Sequence, residues 1–262
     1  MDGLAGVLVA SALTVAALML TVWVVSVVVR DASIVDLVWG LGFVLVAWVA
    51  YVVGDGVTDR SLLIAALVSI WGLRLSGYLT WRNLGKGEDP RYQAMRRKWG
   101  DRFWLVSLGT VFVTQGVIMW IVSLPVQLAA HADEPTELGV LAWVGVVVWL
   151  VGFAFETVGD LQLARFKADP ANEGQVMDRG LWRYTRHPNY FGDFCVWWGI
   201  FLVAAETVPA RWGVVGPLLM SVMLMKYSGV GMLEKSIGKR RPGYAEYARR
   251  TNTFFPWPPK SA

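Results

Sequence analysis

Long apolar runs separated by short polar stretches dominate the pattern along the chain. A helix needs roughly 20 apolar residues to cross a hydrocarbon layer of ~30 Å. Seven runs approach or reach that length with few charges, near 5–29, 34–53, 62–81, 104–126, 138–163, 190–205 and 213–233. Backbone polar groups inside lipid must be satisfied within the segment, so the pattern predicts an all-α, polytopic membrane bundle of about seven transmembrane helices. The first run lacks a basic leader and a small-x-small cleavage site, and it reads as a span rather than a signal peptide. No Pro/Gly/Ser-rich linker and no fixed-period repeat divides the chain, so 1–262 is expected to be a single integral domain.

Composition and charge sharpen this picture. The chain is 55% hydrophobic with 15 Trp, more than one water-soluble core of this length hides easily. Its formal net charge of +4 is unevenly spread. Arg82, Lys86, Arg91, Arg96, Arg97, Lys98 and Arg102 follow the third run, whereas the loop after the fourth carries His131, Asp133, Glu134 and Glu137 without Lys or Arg. The positive-inside rule then predicts an N-terminus outside and a C-terminus in the cytoplasm, as in an inner bacterial membrane. Two readings of the basic loops stay open: retention charges against membrane lipids, or a site for an anionic ligand. The lone Cys195 excludes an intrachain disulfide, and with two His no metal site is expected. Nothing in the pattern points to nucleic acid.

Polar residues within or beside the spans are the candidate chemistry, because ionisable groups there are costly and face a cavity or one another. Asp36 opens the second run, and Arg74, Tyr78 and Arg82 share one helical face at four-residue steps. An Asp36–Arg74 ion pair that only makes burial tolerable is one reading; a functional cavity is the other. Glu156 and Asp160 lie four apart near the end of the fifth helix, with Lys167 a further seven residues along. They either bind Arg183 or Arg186 to close the bundle, or accept hydrogen bonds from ligand hydroxyls while the cations hold phosphates.

The densest polar stretch runs from Gly180 to Asp193. Pro188 suits a first helical position, which starts the sixth helix there and sets Asn189, Asp193 and Trp197 along one stripe. Free N–H groups at that helix start, with Arg183, Arg186 and His187, form an anion-favouring corner. Interfacial anchoring by Arg, Tyr and Trp is the plainer alternative. The tail mixes aromatics and cations, with Tyr244 and Tyr247 three apart and a Pro-rich end, and reads as a lid or an interfacial anchor.

The order Glu156-x3-Asp160, Gly180-Leu181-Trp182, Arg186-His187-Pro188-Asn189-Tyr190-Phe191-Gly192-Asp193, Glu234, and the Tyr244/Tyr247 tail ending in Phe255-Pro256 resembles the steroid 5-alpha-reductase C-terminal superfamily. More narrowly it is similar to the bacterial DUF1295 branch. The likeness is specific mainly over 150–258, which it marks as a cofactor-binding half. It implies a membrane reductase that uses NADPH to saturate an activated, enone-like carbon–carbon double bond in a steroid, isoprenoid or other lipid drawn from the bilayer. Glu156, Asp160, Lys167, Asn189 and Asp193 match cofactor positions, and Arg183, Arg186, His187, Tyr190, Tyr244 and Tyr247 join them as expected contacts. Lys167 stands where the family has Arg, which keeps the charge and loses the two-pronged geometry. Asp36 and Tyr78 are the expected catalytic residues. The Gln-Glu pair of the steroid enzymes is not evident. An Arg-His-Pro-x-Tyr-x-Gly framework also occurs in isoprenylcysteine and phospholipid methyltransferases, making an S-adenosylmethionine enzyme the alternative. A transporter or scaffold is a third reading, without the inverted repeats it would call for.

Overall fold

The computed structural model describes residues 3–54, 58–132, 134–135, 137–227 and 243–260. Asp133, Glu234, Lys235, Lys239, Arg240 and Arg241 lie outside the described residues, as does the end of the seventh run. Among the described residues the chain is helical throughout, and its single β-type contact is a parallel bridge between Thr185 and Asn252.

The helices are α1 (Gly3–Val29), α2 (Ile34–Leu37), α3 (Trp39–Val53), α4 (Asp59–Asn83), α5 (Pro90–Trp99), α6 (Phe103–Ser107), α7 (Thr114–Val122), α8 (Leu124–Ala129), α9 (Val140–Ala168), α10 (Pro188–Ala204), α11 (Val215–Val222) and α12 (Tyr244–Arg250). A π-helical stretch, Leu108–Val113, joins α6 to α7. Among the described residues, four stretches are long and apolar enough to cross a membrane: α1, α4, the composite Pro90–Val122 and α9. Such helices mark an integral membrane protein. The 15-residue α3 is apolar but shorter.

Boundaries depart from the pattern where local chemistry intervenes. The run expected at 34–53 is two helices, because the backbone at Val38 leaves helical geometry (φ −94°, ψ 0°). α4 begins at Asp59 rather than residue 62, since Thr58 and Ser61 form a capping box that satisfies the first amides. The fourth run ends at Val122, and Pro125 starts a separate short helix. α10 begins at Pro188, where the sixth helix was expected to start.

The chain forms two compact units, one of residues 1–142 with 203–216 and the other of 143–202 with 217–262. In the first, α3 packs on α1 and α4. A Cβ on Gly72 would come within 2.5 Å of Gly40 O, so α3 and α4 meet backbone to backbone. Trp71, Phe43, Val46 and Val68 fill the space beside that contact, almost wholly buried. At one end of α4 the fully buried Arg60 donates to Pro135 O and Glu137 O, both at 2.6 Å, and to Glu206 Oε2 at 2.7 Å. Glu206 also accepts from Gly139 N–H and Ala142 N–H, each at 3.0 Å, and so caps the start of α9. Burial alone would raise the Glu206 carboxyl pKa, but the Ala142 and Gly139 amides and Arg60 outweigh it and hold the group below its usual range.

In the second unit α9 and α10 approach through glycines spaced by seven. A Cβ on Gly192 would lie 2.6 Å from Gly152 O and closer still to Glu156 N, and one on Gly199 would lie 2.7 Å from Gly145 O. Small residues at such spacing let two helices touch along a single stripe. Val196, Trp197, Ile200 and Trp149 close over the contact.

Three outcomes follow. Arg60→Ala removes the countercharge of Glu206, which keeps only its two amide donors, together with the donors to Pro135 O and Glu137 O, and lowers stability by about 3–5 kcal/mol, read by unfolding in detergent micelles. Because the folded pKa of Glu206 is depressed, its contribution is complete above the reference value of 4.5 and is lost as pH falls through the folded value. The acid limb of melting temperature against pH is therefore shallower in Glu206→Gln. Gly192→Ala forces α9 and α10 apart and costs about 1–3 kcal/mol, with a matching fall in melting temperature; an unchanged melt would contradict the close approach.

Candidate functional site

The polar residues of the second unit are assembled by α9, α10 and the segment between them. Glu156 and Asp160 are one turn apart on α9 and are 3% and 4% exposed, so neither faces lipid or open water. Pro188 at the start of α10 sets Asn189 on the first turn, where the glycine contact holds it against α9. Asn189 Nδ2 donates to Asp160 Oδ1 at 3.2 Å, and Asn189 Oδ1 accepts from Tyr190 N–H at 3.1 Å. An amide of α10 thus meets a buried carboxylate of α9, with a second carboxylate one turn away. The connecting segment is pinned to α9 by Trp182 Nε1 donating to Gly159 O and by Leu181 N–H donating to Gln162 Oε1, both at 3.0 Å.

The other expected contacts divide into three groups. Lys167 and Arg183 are exposed cations. His187 is buried and stacks on Tyr190, with ring centroids 5.4 Å apart and planes 5° apart; Asp193 lies one turn beyond Asn189 and is half-buried. Arg186 and Tyr247 have partners within the chain. Arg186 donates from Nη1 to Ala248 O and Thr251 O and from Nη2 to Thr253 Oγ1, and Tyr247 Oη donates to Trp182 O. Both groups fasten the tail, because its backbone carbonyls and the segment before α10 are buried together and need donors. Tyr244 packs beside Tyr247, centroids 5.9 Å apart, and both rings are buried.

In the first unit, Asp36 does not have Arg74 as the partner expected of it. Its carboxylate accepts from Arg91 Nη2 at 2.8 Å and from Tyr92 Oη at 2.9 Å, and Tyr92 Oη accepts in turn from Gln115 Nε2 at 3.2 Å. The reason is local: Asp89 caps α5, so the chain after Pro90 lies where Arg91 and Tyr92 reach back to α2. Glu88 fixes the same loop, taking both Arg96 Nε and Nη2 and the Ala32 amide at 2.8–2.9 Å. Burial would raise the Glu88 pKa, yet the Arg96 and Ala32 hydrogen bonds prevail and lower it. Arg74 and Arg82 flank Tyr78 on α4, with guanidinium carbons 5.3 and 5.5 Å from the ring centroid, which is the shared face read from the four-residue spacing. A cleft of about 350 Å³ opens beside the loop, with Asp31, Ser33, Thr80, Asn83, Lys86 and Asp89 in its wall.

Sequence reasoning missed Tyr92, Gln115, Thr185 and the Arg60–Glu206 pair. For the α9–α10 seam a signal was present, the seven-residue glycine steps Gly145–Gly152–Gly159 and Gly192–Gly199. For Tyr92 there was none, since an aromatic in a basic loop has many ordinary uses.

The chain is similar over residues 22–251 to the family described as "Protein of unknown function (DUF1295)". It is 26% identical to an uncharacterised protein of the fission yeast Schizosaccharomyces pombe over 269 aligned positions, covering 89% of this chain and 75% of the yeast protein. No solved structure matches it. With its apolar spanning helices and a family match over most of its length, this integral membrane protein belongs to the DUF1295 family.

Proposed function

We propose that the protein is a membrane-embedded, NADPH-dependent reductase that saturates an activated carbon–carbon double bond in a steroid, isoprenoid or other lipid reached from the bilayer. In this reading seven spans cross a bacterial inner membrane, with the N-terminus outside and the cofactor side cytoplasmic. The observation that carries it is the hydrogen bond between half-buried Asn189 on α10 and buried Asp160 on α9, with buried Glu156 one turn from Asp160 and the exposed cations Lys167 on α9 and Arg183 in the segment before α10. The donor set fits the cofactor: carboxylates and an amide match ribose hydroxyls, and cations match phosphates. Motif order along 150–258 supports the same reading through its resemblance to the steroid 5-alpha-reductase superfamily.

Each residue has a role in that scheme. Asp160 and Glu156 accept hydrogen bonds from hydroxyl groups, and Asn189 orients Asp160 while offering its amide. Lys167 and Arg183 neutralise phosphate charge. When bound, the nicotinamide supplies a hydride for the β-carbon of an enone. Tyr78 or Asp36, the latter oriented by Arg91 and Tyr92, provides the acidic hydrogen bond that stabilises the developing enolate oxygen, and a proton taken up at the α-carbon completes the saturation. The apolar bundle keeps water from the reacting carbon.

Titration of detergent-purified protein with NADPH, followed by intrinsic Trp fluorescence, tests the proposal. Saturable binding is expected, and Asn189→Ala weakens it about 10-fold or more, the loss of a hydrogen bond to a charged group. Asp36→Asn retains NADPH affinity and lowers enone turnover by about 100-fold or more. Saturable binding of S-adenosylmethionine with none of NADPH would replace the reductase by a lipid or prenyl-cysteine methyltransferase.

A further inference from the structure

The residues just before α10 are bonded to the tail along their whole length. Arg186 N–H donates to Asn252 O at 2.9 Å, and Trp257 N–H donates to Tyr184 O at 3.1 Å. The buried Thr185 hydroxyl donates to Phe254 O at 2.7 Å, and Tyr247 Oη donates to Trp182 O at 2.5 Å. Arg186, 9% exposed, reaches Ala248 O at 2.8 Å, Thr251 O at 2.7 Å and Thr253 Oγ1 at 2.7 Å. Past these bonds, Phe254 and Phe255 pack edge-on against Phe191 and Phe194, with centroids 5.7–6.3 Å apart.

The chemistry of the fork decides what Arg186 does. Both hydrogens of Nη1 are used by two carbonyls from different turns of the tail, and Nη2 holds a third tail atom. A guanidinium so engaged by the protein's own chain has few donors left for an anion, and rotating it to meet one would strand its carbonyl acceptors. Three positions later in sequence stands Asn189, whose amide meets Asp160. Between them are only His187 and Pro188, and the proline ring fixes one of the intervening backbone angles. The position of Asn189 is thus coupled to whatever anchors Arg186.

We infer that residues 244–257 are a strap forming part of the α9–α10 socket, and that Arg186 is the positioning residue that buckles it. Ligand affinity at Asn189 then depends on the tail through Arg186, which touches no ligand. The ligand part of this inference rests on the function proposed above; the strap itself does not.

Hydrogen exchange of the full-length, ligand-free protein in detergent tests it, alongside NADPH titration of the same samples. Arg186→Lys keeps the charge but offers one nitrogen in place of a fork. In this variant the amides of residue 186 and Trp257 and those of the first turn of α10 are expected to exchange about 10-fold faster or more, and NADPH affinity falls in parallel. Arg183→Ala, which removes only an exposed cation, weakens NADPH binding with tail exchange unchanged. Wild-type exchange in Arg186→Lys overturns the strap, and loss of affinity without faster exchange overturns it too, because Arg186 would then act on ligand directly. Should Arg186→Lys not fold, Thr185→Val removes the hydroxyl bond to Phe254 O; faster exchange at Trp257 supports the strap and unchanged exchange overturns it. Absence of NADPH binding in the wild type defeats the reductase reading and leaves the exchange comparison to decide the strap.

Discussion

Because Gly152 and Gly192 carry no Cβ, α9 and α10 approach until their peptide groups touch, and that approach is what lets the short Asn189 side chain reach Asp160. Ordinary side chains hold packed helix axes about 8–10 Å apart, and the glycines remove that spacer where α9 and α10 touch. The hydrogen bonds of the segment before α10 tie it to both α9 and the tail. Trp182 and Gln162 fasten the connecting segment to α9, Arg186 and Tyr247 fasten the tail to that segment, and Pro188 begins α10 where the segment delivers it.

Arginine does much of the fastening in both units. Arg60, Arg91 and Arg186 each bring together pieces of chain that are distant in sequence. A planar fork with several donors suits this work, since one side chain satisfies carbonyls and carboxylates from separate loops at once. Arg91 and Arg186, basic residues of the polar stretches between the apolar runs, thus tie chain segments together. The readings of the basic loops as lipid-facing retention charges or ligand cations apply chiefly to residues whose side chains remain exposed, such as Lys86, Lys98 and Arg183.

Acidic residues show the complementary rule. Glu206, Glu88 and Asp89 all have carboxyl pKa values held below the ordinary range despite burial that works the other way, because each accepts several charged or backbone N–H groups. These are carboxylates committed to the architecture. Glu156 and Asp160 differ in setting: they lie buried along the α9 face that meets α10, beside an amide and near exposed cations, which is why they and not the loop acids carry the functional reading.

The run lengths and the cap and proline signals determined a helical, membrane-type chain, the start of α10 at Pro188 and the shared face of Arg74, Tyr78 and Arg82, because each rests on periodicity or on chemistry within a few residues. Which partner each charge chose was decided only by the tertiary structure. Asp36 took Arg91 and Tyr92 over Arg74, Arg186 took tail carbonyls, and Arg60 found Glu206 across 146 positions of sequence. A long guanidinium can reach many acceptors, and the choice among them follows from where buried carbonyls and carboxylates are left without water, a property of packing that no local pattern contains.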